Sequence, residues 1–308
     1  MTKKALFFID DVIWVFRDLT RQRPASLFDH PFMKLLRELH DLYGTKTQLN
    51  LFCSTDRYYG NDIFTLADMT DAYKEEFEAA SGWLKFGFHS RSEFPDYPYI
   101  NAEYDHIAED LRFMQTEVCR FASKENLSIS TTPHWRPISL AACRALYDGG
   151  FRLLSASYGF KVPYEGNESR LPYGHAGRLL TNRQPETALF TREFGDPNLA
   201  CSLCGYNHIS QEDRNRTQFT LDTIFDETTG LHFKDLGNCP VLNVCSYDDI
   251  LPAYTALSNR EFLCYGIHEQ YFYPEYYAWQ PDYSAKLHLA AKILSENGYE
   301  FIFGGDLI

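Results

Sequence analysis

Ala5-Leu6-Phe7-Phe8-Ile9-Asp10-Asp11 is the stretch on which the fold turns. Five consecutive apolar residues suit a strand buried on both faces, as strands of a parallel sheet are. The run is too short for a signal-peptide core or a membrane span. It stops at two carboxylates. Neighbouring strand side chains point to opposite faces, so two useful carboxylates here require a twist or bulge at the strand end. An aspartate pair in this place also suits a solvated turn or a helix cap.

Three further runs repeat the pattern. Trp83 to Phe88 leads to His89, Leu127 to Pro133 leads to His134, and Phe262 to Ile267 leads to His268-Glu269. In a barrel of parallel strands the C-terminal strand ends meet at one face, where chemistry is built. Residues distant in sequence are therefore expected to converge.

Helical patterns separate these strands. In residues 31–43, Phe32, Leu35, Leu36, Leu39 and Leu42 follow the i, i+3, i+4, i+7 spacing, with Asp29 as a cap, Pro31 in the first turn and Gly44 as the stop. A strand over 48–53 completes a β-α-β unit. Residues 103–124, 137–147 and 282–296 read as helices, and 151–155 and 299–303 as strands. Alternating strands and helices predict a parallel α/β architecture. Residues 157–237 break the rhythm and read as a loop-rich insertion between late elements of a single domain spanning 1–308.

Composition bounds the function. Of 308 residues, 44% are hydrophobic and 23% charged, which is the profile of a folded chain. With 29 basic against 42 acidic residues and no basic stripe, nucleic acid and anionic membrane surfaces are not expected partners. A cytoplasmic protein with reduced thiols is the default expectation for eight cysteines and no secretory signal. Cys119 and Cys143 fall in helical patterns and read as small buried hydrophobes. Cys201-Ser202-Leu203-Cys204 with His208 offers half a zinc knuckle, and its ligand set looks incomplete. Aromatics reach 16%, with 21 Tyr. A tyrosine offers a flat apolar face and a polar tip, which fits a carbohydrate ligand.

His89 suits a metal through an imidazole nitrogen, with Glu93 as a possible oxygen ligand. Beside His134, Trp135 could stack on a sugar and Arg136 could orient a carboxylate. His268 and Glu269 precede the aromatic loop that begins Gln270-Tyr271-Phe272-Tyr273. There His268 suits acid/base chemistry, with Glu269 and Tyr271 as candidate substrate contacts.

These clusters resemble the polysaccharide deacetylase family of the glycoside hydrolase/deacetylase superfamily. Phe8-Ile9-Asp10-Asp11 matches its first motif, in which the first aspartate is the general base and the second binds the metal. His89-Ser90-Arg91-Ser92-Glu93 matches its His-Ser/Thr-x-x-His motif except that a glutamate replaces the second histidine. Glu93 or His134 would then be the third ligand. His134-Trp135-Arg136-Pro137 loosely echoes the third motif, and Ile267-His268 matches the strand that ends in the acid histidine. The resemblance implies a distorted seven-stranded (β/α) barrel and a divalent metal, zinc first among candidates, held by Asp11, His89 and either Glu93 or His134. It implies a hydrolase that removes an acyl group from an amino sugar or related carbohydrate, with Asp10 as base and His268 as acid. Two alternatives stand beside it: a glycoside hydrolase using two carboxylates such as Asp10 and Glu269, and a barrel that binds sugar without turnover.

Overall fold

The computed structural model of the chain describes residues 2–55, 63–94, 98–99, 102–135, 138–156, 217, 219–236 and 240–308. The central strand is β1 (Lys3–Val12), buried from Ala5 onward. It is flanked by β2 (Thr47–Phe52) and β8 (Phe262–His268), and β3 (Leu84–Ser90) lies beyond β2. A last strand, β9 (Tyr299–Ile302), pairs with the lower half of β1. Every pairing in this sheet is parallel.

A second sheet holds β4 (Ser130–Thr131), β5 (Leu153–Ala156), β6 (Ile224–Asp226) and β7 (Leu231–Asp235), in the order β4-β5-β7-β6. Its β4, β5 and β7 are parallel, and β6 is antiparallel to β7. An isolated parallel bridge between Phe86 of β3 and Leu127, three residues before β4, sets β4 beside β3. The strands β8, β1, β2, β3, β4, β5 and β7 therefore follow one another in a parallel arc. Among the described residues no strand pairing joins β7 to β8, so the closed barrel expected from the sequence is present as this arc.

Helices pack the outside: α1 (Trp14–Gln22), α2 (Pro31–Tyr43), α3 (Lys74–Ala79), α4 (Tyr104–Phe121), α5 (Leu140–Asp148), α6 (Tyr247–Leu257) and α7 (Tyr283–Glu296). The boundaries of α2 follow the sequence signals, with Pro31 in the first turn and Gly44 left-handed at φ 72°. Its cap differs. Asp29 closes a short turn by accepting from the Ser26 amide, and His30 occupies the position before α2. Within residues 157–237, expected to be loop-rich, β6 and β7 lie near the C-terminal end; most of the remainder, with Cys201, Cys204 and His208, falls outside the described residues. Cys143 is buried as expected, whereas Cys119 is exposed on α4.

One face of β2 carries a polar ladder. Alternation along β2 turns Gln48 and Asn50 to the same face. Gln48 donates to Asn50 Oδ1 at 2.8 Å and accepts from the Ser128 and Ser130 hydroxyls at 2.7 and 2.8 Å. Asn50 in turn donates to Asp10 Oδ1 at 2.6 Å. Gly87 on β3 leaves room for this ladder, because a Cβ there would collide with Asn50 Oδ1.

Candidate metal centre

The strand end of β1 is irregular. The β1–β2 register shifts between Ile9 and Val12, and Asp11 takes a left-handed backbone at φ 63°. That supplies the bulge the Asp10-Asp11 pair requires, since Asp tolerates this conformation better than most residues. Asp11 is fully buried and Asp10 nearly so.

His89 is the penultimate residue of β3, and its Nδ1 lies 2.5 Å from the Thr132 carbonyl. A carbonyl only accepts, so Nδ1 carries the proton and neutral His89 presents a lone pair at Nε2. His134 follows β4, anchored by its amide, which donates to the His89 carbonyl at 3.0 Å. Its Nε2 lies 3.1 Å from the Glu93 carbonyl, which by the same logic leaves the lone pair of neutral His134 on Nδ1. His134 Nδ1 and His89 Nε2 stand 3.1 Å apart. Asp11 Oδ1 lies 3.0 Å from His89 Nε2 and 3.4 Å from His134 Nδ1, and it is buried without a hydrogen-bond donor.

Three electron-rich atoms thus face one another in a buried site, which favours positive charge between them, whether an imidazole proton or a metal ion. The spacing fits a metal: ligands 2.0–2.1 Å from a tetrahedral ion are separated by roughly 3.3 Å. Electrostatics agree. Burial pushes the Asp11 carboxyl up, but His268, His134 and His89 together hold it well below the usual carboxylate value. Burial pulls His89 down, and the Asp10 and Asp11 carboxylates outweigh it, so its pKa stands above 6.5.

Of the two candidates for the third position, His134 joins Asp11 and His89. Glu93 is buried beside them, but its side chain accepts from Gln270 Nε2 at 3.0 Å, and its backbone carbonyl is what orients His134. His268 lies at the same strand-end face. Its Nδ1 is 2.9 Å from Asn243 Oδ1, and its Nε2 is 4.0 Å from Asp11 Oδ2.

Glu269, expected as a substrate contact, has its carboxylate turned to the backbone. It is fully buried. Its carboxylate accepts from the amides of Ile13, Trp14 and Val15 at 2.8, 2.8 and 2.7 Å, and from the Tyr273 hydroxyl at 3.3 Å. It therefore caps α1, whose preceding residue Ile13 gives no side-chain cap. Burial pushes its pKa up to about 7, against the pull of the three amides. Tyr271 is only 6% exposed; its ring packs 5.1 Å from Tyr276 and 6.2 Å from His268. Tyr273, Tyr276 and Tyr283 are also core residues, so much of the tyrosine-rich loop is packing rather than cleft lining. Trp135 takes a left-handed backbone at φ 60° and packs 5.9 Å from His134, while Arg136 lies outside the described residues.

Sequence reasoning passed over Asn50, Asn243 and Gln270. A signal for Asn50 existed: Gln48 and Asn50 are polar at alternate positions of an otherwise apolar strand.

No family model matches the chain, and no curated protein matches it. Among solved structures, the 4-alpha-glucanotransferase from Thermococcus litoralis is similar in fold, with a TM-score of 0.53 at 9% identity. The match covers 100% of this chain and 40% of that one, so the chain spans well under half of that protein's length. The class defined by fold and site is a parallel α/β arc with a buried Asp-His-His group at its strand ends, able to hold a metal ion. Among the described residues no helix is long and apolar enough to cross a membrane.

Proposed function

We propose that the chain is a carbohydrate-processing hydrolase whose site is a metal centre formed by Asp11, His89 and His134. The observation that carries this reading is the meeting of His89 Nε2, His134 Nδ1 and Asp11 Oδ1 within 3.0–3.4 Å in a buried site. Zinc suits such an N/N/O set, and when bound it would supply Lewis acidity toward a substrate carbonyl and its attacking water. Asp10, with Oδ1 held by Asn50, takes the proton of the attacking water at its other oxygen. His268, with Nδ1 directed to Asn243, delivers a proton from Nε2 to the leaving nitrogen. The finer assignment is removal of an acyl group from an amino sugar, as the motif resemblance implies.

A second reading is cleavage or transfer of glycosidic bonds by two carboxylates, and the fold likeness to a glucanotransferase favours it. Glu269 is a poor partner for Asp10 in that chemistry because its oxygens are occupied by the α1 amides. The pair would be drawn from Asp10, Asp11 and Glu93.

One experiment separates the readings. The protein is incubated with an N-acetylated oligosaccharide and with an α-glucan, with and without chelator, and acetate and new reducing ends are measured. Acetate released from an intact chain, abolished by chelator and restored by zinc, is the expected result. New reducing ends that persist in chelator would establish the second reading. Absence of both products, with sugar bound, would mark a binding protein.

A further inference from the structure

Gln270, immediately after Glu269, is 1% exposed, and its amide nitrogen is shared between two carboxylates. Nε2 donates to Asp11 Oδ2 at 3.1 Å and to Glu93 Oε2 at 3.0 Å. Both partners only accept, so the amide orientation is fixed. Its oxygen Oε1 is left buried with no hydrogen-bond partner. The two N–H groups thus keep a place that costs the oxygen its own donor, and packing does not explain that.

The two oxygens of Asp11 consequently have separate neighbours. Oδ1 faces the lone pairs of His89 and His134, and Oδ2 faces Gln270. Carboxylates that ligate metals are commonly oriented by such outer hydrogen bonds, and losing one weakens metal binding. Glu93 is drawn to the same amide.

We infer that Gln270 is a positioning residue for the metal centre: it restricts Asp11 to one ligating oxygen and holds the Glu93 carboxylate away from the ion. The inference rests on the metal reading of the site. Gln270 acts through Asp11, whose Oδ2 accepts from its amide.

The test measures zinc affinity by competition with a chromophoric chelator for wild type, Gln270→Met, Glu93→Gln and His89→Ala, with the unfolding of each metal-free protein recorded alongside. Gln270→Met should weaken zinc by roughly 10–100-fold, whereas Glu93→Gln, whose amide oxygen still accepts from Gln270, should stay within about threefold. Cobalt(II) in the same site gives a readout that general destabilisation does not move, because its visible band loses intensity as coordination number rises. In Gln270→Met the freed Oδ2 can also ligate, so the band should weaken relative to wild type. If Gln270→Met fails to fold, Gln270→Asn replaces it, since the shorter amide cannot span both carboxylates. Zinc affinity and cobalt spectrum unchanged in the Gln270 variant would overturn the inference while leaving the metal centre standing. So would loss of zinc in Glu93→Gln as complete as in His89→Ala, which would make Glu93 a ligand. Wild type that takes up no zinc would remove the metal reading itself, and this inference with it.

Discussion

His268 and Asp10 hold the two proton positions of the proposed reaction, and an asparagine orients each: Asn243 for His268 and Asn50 for Asp10. His268→Ala should keep its metal and its fold while losing about 10²–10⁴-fold in turnover, the usual contribution of a positioned acid. A substrate whose leaving group needs no proton should be affected much less. Metal loss in this variant would instead make His268 a ligand. His89 contributes to the response to pH. Its pKa is raised, so in metal-free protein its contribution to stability is complete below 6.5 and is lost as pH climbs through the folded-state value. Asp11 works in the opposite window, stabilising above 3.8 and losing its contribution as pH falls below that. Metal needs neutral imidazoles, so zinc uptake should release a proton and its affinity should rise with pH above 6.5. Calorimetric titration in buffers of different ionisation enthalpy counts that proton; none released at pH 6.5 would contradict the raised His89.

At the scale of elements, Glu269 fastens the end of β8 to the first turn of α1. In Glu269→Gln the amide group would meet N–H donors, leaving some α1 amides unsatisfied at a cost of about 3 kcal/mol. Denaturant unfolding measures this, and an unchanged midpoint would show that the cap contributes nothing. The Gln48–Asn50–Asp10 ladder is exposed to its neighbour in the same way. Gly87→Ala would press on Asn50 Oδ1 and should cost about 1–3 kcal/mol. Turnover should fall more than stability, because Asp10 loses its donor when Asn50 shifts. These links also explain what the sequence hid. The helix α2 carries its own Pro and Gly punctuation and reads plainly. The helix α1 does not, since its cap comes from Glu269 at the other end of the chain. The helix α6 holds Pro252 in its interior, although Ser246 and Asp249 announce its start with a capping box.

Across the whole molecule, the Asp11-His89-His134 group, which could hold a metal ion, draws on the ends of β1 and β3 and the segment after β4. An ion bound there should stabilise both sheets together, by about 2.7 kcal/mol at a free concentration one hundred times its dissociation constant. A melting curve that stays a single transition and moves up with zinc is the expected result; a curve insensitive to zinc would argue against the site. The four strand-end clusters were legible because each closes an apolar run, and the structure gathers Asp10, Asp11, His89, His134 and His268 at one face. The choice between Glu93 and His134 was not legible. It depends on the parallel bridge from Phe86 to Leu127 and on the His134 amide bonded to the His89 carbonyl, contacts between segments about forty residues apart. The backbone contacts of Glu269 were hidden for the same reason, since nothing local distinguishes a carboxylate bound to substrate from one bound to backbone.

The left-handed backbone at Asp11 also bears on how this chain can drift. Asn and Gly accept that conformation with little strain, and most other residues pay for it. The position is therefore filtered twice, once for chemistry and once for geometry. If the chemistry were released from selection, the geometry would still admit only a narrow set of residues. Descendants that had lost activity would carry Asn or Gly there, and a fluorescence screen for folded variants at position 11 should recover those two ahead of alanine, valine and the larger side chains.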